Sequence, residues 1–139
     1  MLNANRIASL KTRAEAIGYV MATTTGAVQF HVLRADGSIE MVVTDWITDY
    51  DEVNGILLES ERDAAVVDVL NTSNAFGCTI EQAQAQFATN AKQMHALYIK
   101  AGNSGKKVNG YTAAELLTLY EKLALRATVC ANPSLSKQR

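Results

Sequence analysis

Cysteine is scarce: Cys78 and Cys130 are the only two in the chain. That is too few for a disulfide framework, and without Cys-x-x-Cys spacing both are expected as buried or partly buried free thiols. Long hydrophobic runs are missing. No apolar stretch approaches the ~20 residues that span a bilayer, and the opening MLNANRIASLKTR lacks the uninterrupted apolar segment of a secretory signal. A cytoplasmic location with no membrane partner is therefore expected. Charge of one sign is also missing: 13 basic against 14 acidic residues give a net charge of -1. Such a chain has no global positive field to gather phosphates, which disfavours nucleic acid as the main partner. Internal repeats and low-complexity tracts are absent too.

What is present is an ordinary globular mixture, 48% hydrophobic and 19% charged over 139 residues, which is enough to bury a core as one domain. Ile7, Leu10, Ala14 and Ile17 line one face of a helix that Gly18 closes. The texture then becomes β-branched and alternating. Val28, Phe30 and Val32 share one face of a strand, and Ile39, Met41 and Val43 one face of the next. The Asp36-Gly37 turn joins these as a hairpin, and Tyr19–Thr24 supplies a third strand of a meander.

Acidic residues then gather around Trp46 and Tyr50, predicting a short helix or loop. Ser60 with Asp63 resembles a helix start, followed by a stripe at Ala64, Val67 and Leu70 that ends in Asn71-Thr72-Ser73-Asn74; Gly55 leaves an earlier start open. A capping box at Thr79 and Gln82 opens the longest helix, striped by Ile80, Ala83, Phe87, Ala91, Met94 and Tyr98 and capped at Gly102. A loop from Gly102 to Tyr111 leads to a second capping box, Thr112 with Glu115. Leu116, Leu119, Leu123 and Ala127 follow on one face until Asn132-Pro133 stops the helix.

Helix, meander and then helices is a segregated order, which predicts an α+β domain over 1–133, with the C-terminal helices packed on one face of a small antiparallel sheet and a frayed tail at 134–139. The stripes of the helices starting at Thr79 and Thr112 exceed what a small sheet can cover. A homodimer or larger homo-oligomer through them is expected.

Constellations for chemistry are thin. His31 and His95 each stand alone, with no second ligand or nucleophile at a useful spacing, so no metal is expected. Asp49 and Asp51 match two positions of a calcium loop, but Val53, Asn54 and Ser60 fall where oxygen ligands and the turn glycine belong, which leaves a solvated acidic loop. Gly102, Gly105, Lys106 and Lys107 allow three readings: a flexible connection, an anion contact, or the GxxG clamp of a KH module. Phe76, in Asn74-Ala75-Phe76-Gly77-Cys78, is an aromatic off the helical stripes. It either plugs the core beneath a loop or offers a π-face to a base, with Asn74 bonding an edge. Arg126 is either a snorkelling or salt-bridged arginine or a phosphate partner across a dimer.

The layout of a small N-terminal sheet followed by helices resembles that of phage-encoded Thoeris anti-defence proteins. The resemblance implies a non-enzymatic, cofactor-free sponge that sequesters a cyclic ADP-ribose signal of a bacterial defence system. On side-chain chemistry the adenine would then stack on Phe76, while Arg126 or the Lys106-Lys107 pair would meet the diphosphate. The alternative is a phage structural or protein–protein interaction component with no small ligand. An enzyme ranks last, for want of a convergent acid, base, nucleophile or metal set.

Overall fold

A computed structural model describes residues 2–129. The fold is α+β: an N-terminal helix, a three-strand antiparallel meander, and then three helices packed together. The chain divides into two compact units, Met1–Ser60 and Glu61–Arg139. Cys130, the Asn132-Pro133 stop and the 134–139 tail lie outside the described residues.

In the first unit, α1 (Ala4–Ala16) is capped by Asn3, whose side chain accepts from the Arg6 amide at 2.9 Å. It closes at Gly18, where φ is +87° and the Tyr19 amide reaches back to the Ala14 carbonyl at 2.9 Å. That left-handed closure is the one the sequence predicts. The strands β1 (Val20–Thr24), β2 (Ala27–Leu33) and β3 (Ile39–Val42) pair in the order β1-β2-β3. Met21 opposes Phe30 on one side of β2 and Met41 opposes Val32 on the other.

The hairpin turn is held by Asp36, which accepts from both the amide (2.9 Å) and the hydroxyl (2.6 Å) of Ser38. Those two bonds hold the Asp36 carboxyl below its usual value. Phe30, Val28 and Met21 turn inward against Leu10 and Ala14 of α1 and against Tyr50, Val53 and Leu57. Of the helices that follow the sheet, the start of α2 (Tyr50–Phe76) therefore enters this core. Arg13 and Asn54 join the two helices through a 2.7 Å hydrogen bond, and the Arg6 guanidinium lies 4.6 Å from the centre of the Tyr50 ring.

Helix α2 corrects the expected start at Ser60. It begins at Tyr50, with Asp49 accepting from the Glu52 amide at 3.1 Å. The acidic cluster is thus a helix start, where Asp51 and Glu52 complement the N-terminal dipole. Gly55 is carried inside the helix, and the buried stripe in the second half is Ala65, Val66 and Val69, while Val67 faces water. The polar run at 71–74 stays helical. The stop is Gly77 in the left-handed region, with the Cys78 amide bonding the Ser73 carbonyl at 3.1 Å.

In the second unit, the reciprocal capping box of Thr79 and Gln82 opens α3 (Ile80–Ser104) as predicted. The cap at its far end is Gly105, φ +68°, and not Gly102, which is helical. The loop after it contains a tight reversal in which Val108 and Tyr111 exchange backbone bonds of 2.9 and 3.0 Å around Asn109-Gly110, both at positive φ. Two positive-φ residues in the centre of such a reversal make a type I′ turn. The Thr112–Glu115 box opens α4, described over Ala113–Val129. Its two bonds to Thr112, with Lys107 adding a smaller attraction, hold the Glu115 carboxyl below its usual value.

The helices of this unit pack through two clusters. Val66, Val69, Ala83, Phe87 and Val129 meet in one, and Met94, Tyr98, Ala101, Ala113 and Leu116 in the other.

Candidate functional site

The residues singled out in the sequence do not converge. Phe76 ends α2 and projects into solvent at 80% exposure, so it plugs no core. Asn74 is also exposed but lies two residues earlier on the same helix. Side chains at i and i+2 point to nearly opposite sides of a helix, so the amide does not share the Phe76 ring's surroundings.

Arg126 is buried on α4 and committed to a partner. Its Nε donates to Asp68 Oδ2 at 2.9 Å, its Nη2 donates to the same oxygen, and its Nη1 donates to the Lys122 carbonyl at 2.8 Å. This is the salt-bridged reading of that residue, but in the interior and not at the surface. Lys106 and Lys107 are exposed just after α3, at the opposite end of that helix from Phe76. A 25-residue helix is about 37 Å long, beyond the span of one nucleotide. The GxxG reading fails on geometry as well, because Gly102, Asn103 and Ser104 form the last turn of α3 and leave no loop to clamp a backbone.

The histidines are likewise apart. On the outer side of β2, His31 Nε2 lies 2.6 Å from Gln29 Oε1. On α3, His95 packs its ring 4.8 Å from that of Tyr120. Among the described residues, no group of three His, Cys, Asp or Glu side chains is placed to hold a metal ion. No described helix is long and apolar enough to cross a membrane.

What does gather is apolar surface on the sheet. Antiparallel partners share a face, so Val20, His31 and Val42 form one row across the three strands, on the side away from Phe30. Val20 and Val42 are both largely exposed, as are Leu33 and Ile39, which oppose each other one step along. The expectation that Ile39, Met41 and Val43 share one face is corrected at Ile39. A bulge between Val32 and Leu33 shifts Ile39 out of the inward register, and Met41, although on the Phe30 side, is 53% exposed.

No family model matches this chain, and neither a curated protein nor a solved structure matches it. The site must therefore be read from its own chemistry. After Val42 the chain leaves the ladder at Thr44–Trp46 and rejoins it where Ile47 and Val28 exchange bonds of 2.8 and 2.9 Å. Across the gap the Thr44 hydroxyl accepts the Phe30 amide at 3.2 Å in place of a ladder carbonyl. Trp46, the single tryptophan, sits on this excursion, about half exposed.

One signal in the sequence bears on this surface. Val20, Leu33 and Val42 are large apolar residues at the strand positions left over once the inward faces are assigned. A three-stranded sheet that is apolar on both sides has one side more than a single helical layer covers.

Proposed function

We propose that this is a non-enzymatic interaction protein whose working surface is the uncovered side of its N-terminal sheet. The observation that carries the reading is the clustering of Val20, Leu33, Ile39 and Val42, all exposed, on three adjacent strands on the side away from Phe30. Scattered apolar residues are normal on a protein surface, whereas a contiguous group is the mark of a contact site. The oligomer expected through the helices from Thr79 and Thr112 is less well supported, because their stripes meet each other and α2 inside the second unit.

The test is light scattering after size exclusion, on freshly prepared cell extract carrying a tagged chain and on the pure protein. The wild type should run above its monomer mass in extract, and a Leu33→Ser/Ile39→Ser double variant should run as a monomer with its circular dichroism intact. A wild type at monomer mass in both settings overturns the reading.

A second reading, sequestration of a cyclic ADP-ribose-type signal nucleotide, is favoured by one observation, the solvent-facing Phe76 ring. Stacking on such a ring contributes about 1–3 kcal/mol per base. Neither Asn74 nor the Lys106-Lys107 pair lies beside it, and Arg126 is held by Asp68. Calorimetry with cyclic ADP-ribose isomers on wild type and Phe76→Ala separates this reading from the first.

A further inference from the structure

We propose that α2 is built to break at Ser60, which then becomes the N-cap of its second half, so that the helix acts as a hinge between the two units. The inference does not depend on the sheet being the working surface.

Each half of α2 is held by a different core. Tyr50, Val53 and Leu57 belong to that of the sheet unit, and Ala65, Val66 and Val69 to that of the helical unit. Between Leu57 and Ala65 the helix makes about two turns that belong to neither cluster, with Glu59, Ser60, Asp63 and Ala64 exposed. The boundary between the units falls in this stretch, between Ser60 and Glu61. A helix in a folded protein is held mainly by the packing of its apolar face, and here that support is interrupted.

The residues at the boundary carry the chemistry of a helix start. Ser60-Glu61-Arg62-Asp63 has the spacing of the boxes that open α3 at Thr79 and Gln82 and α4 at Thr112 and Glu115. The same spacing occurs inside α1 at Thr12 and Glu15 and inside α4 at Thr118 and Glu121. In those two places the hydroxyl is bonded to the carbonyl four residues back, at 3.2 and 3.0 Å, and the helix lies within one unit. At Ser60 the pattern coincides with a change of core.

A break there is largely self-repairing. The amides of Glu61, Arg62 and Asp63 lose the carbonyls of residues 57–59, since each helical amide bonds four residues back. The Asp63 amide then donates to the Ser60 hydroxyl and the Ser60 amide to the Asp63 carboxylate, the reciprocal arrangement of a capping box. The Glu61 and Arg62 amides and the freed carbonyls are left as the end groups of two ordinary helices. Glu61 and Asp63 come to lie in the first turn of the new helix, where acidic groups complement the positive end of its dipole. Both cores stay closed through the change, because neither contributes a side chain to the segment that opens.

The experiment is amide hydrogen exchange by NMR on the full chain. The Glu61 and Arg62 amides bond across the break, whereas those of Leu57 and Val69 bond within their own halves. After correction for intrinsic rates, Glu61 and Arg62 should exchange about tenfold or more faster than Leu57 and Val69. Ser60→Val and Ser60→Asn then separate the cap from the helix. Valine and asparagine both match serine in helix propensity, but asparagine caps as well as serine does and valine does not. Ser60→Val should slow exchange at Glu61 and Arg62 about fivefold, while Ser60→Asn should leave it within about a factor of two of wild type. Position 60 is exposed, so both variants should keep the circular dichroism of the wild type. Equal protection at all four amides in the wild type, or the same exchange rates in Ser60→Val as in Ser60→Asn, overturns the hinge.

Discussion

The two units fill their interiors with different proportions of large and small side chains. The sheet unit closes around large side chains, with Phe30, Leu10, Leu57, Val28 and Val53 fully buried, and its helices are tied by the Arg13–Asn54 bond and by Arg6 over the Tyr50 ring. The helical unit mixes in many small ones: Ala65, Ala83, Ala91, Ala101 and Ala113 are buried beside Val66, Val69, Leu116, Leu117 and Val129, and the Arg126–Asp68 ion pair links α4 to α2. Small residues let helix axes approach closely, and each helix needs only one stripe covered. A sheet has two faces, and here one layer of helix covers one of them. The difference explains why the exposed apolar surface clusters on the strands, while on the helical unit it is limited to separate residues such as Phe76 and Ile99.

Truncating the largest buried ring should separate the units most. Phe30→Ala should cost about 3–5 kcal/mol and lower the denaturant midpoint of Trp46 emission, which reports on the sheet unit, with much of the helical circular dichroism surviving to higher denaturant. A single coincident transition by both probes would erase the distinction. The converse test is Asp68→Ala, which leaves the buried Arg126 guanidinium without its carboxylate. Because Asp68 is 52% exposed, solvent already screens the pair. The loss should be about 1–2 kcal/mol, well under that of a fully buried pair, and should appear in the helical signal with the Trp46 transition unmoved.

The smallest expected effect sharpens the end of α3. Gly102→Ala, inside the helix with open space around its Cβ position, should stabilise by about 0.5–1 kcal/mol. Gly105→Ala, at φ +68°, should destabilise by about 1 kcal/mol. Thermal melts showing the same sign for both would contradict the assigned cap.

The features legible from the sequence were those set by short-range chemistry. The Gly18 closure, the Asp36-Gly37 hairpin and the capping boxes at Thr79 and Thr112 each involve partners within a few residues. Where the reading failed, a local signal was overruled by packing. Ser60 and Asp63 look like a helix start, but Val53 and Leu57 already hold α2 against the sheet. Gly102 looks like a cap because it comes first, yet Ala101 is buried against α4 residues and the helix runs on to Gly105. The Asn109-Gly110 pair carries a turn signal of its own, and in the structure it closes the reversal between Val108 and Tyr111 inside the connection. The proposed contact surface was hidden for a different reason: periodicity tells which face of a strand is apolar, but not whether anything is available to cover it.

Helix α2 has a practical consequence for anyone dissecting the molecule. The boundary between the units, at Ser60 and Glu61, falls in its middle. A gene fragment cut there would end the first piece on a stub from Tyr50 to Ser60 and start the second on unpaired helical amides. Isolated helices of that length are marginal in water, and each new terminus would lack a cap. Moving the junction to either end of the helix does not help, because a break before Asp49 strips Tyr50, Val53 and Leu57 from the sheet core and one after Gly77 strips Val66 and Val69 from the helical one, so recombination or domain-fusion libraries should carry α2 whole, with both cores.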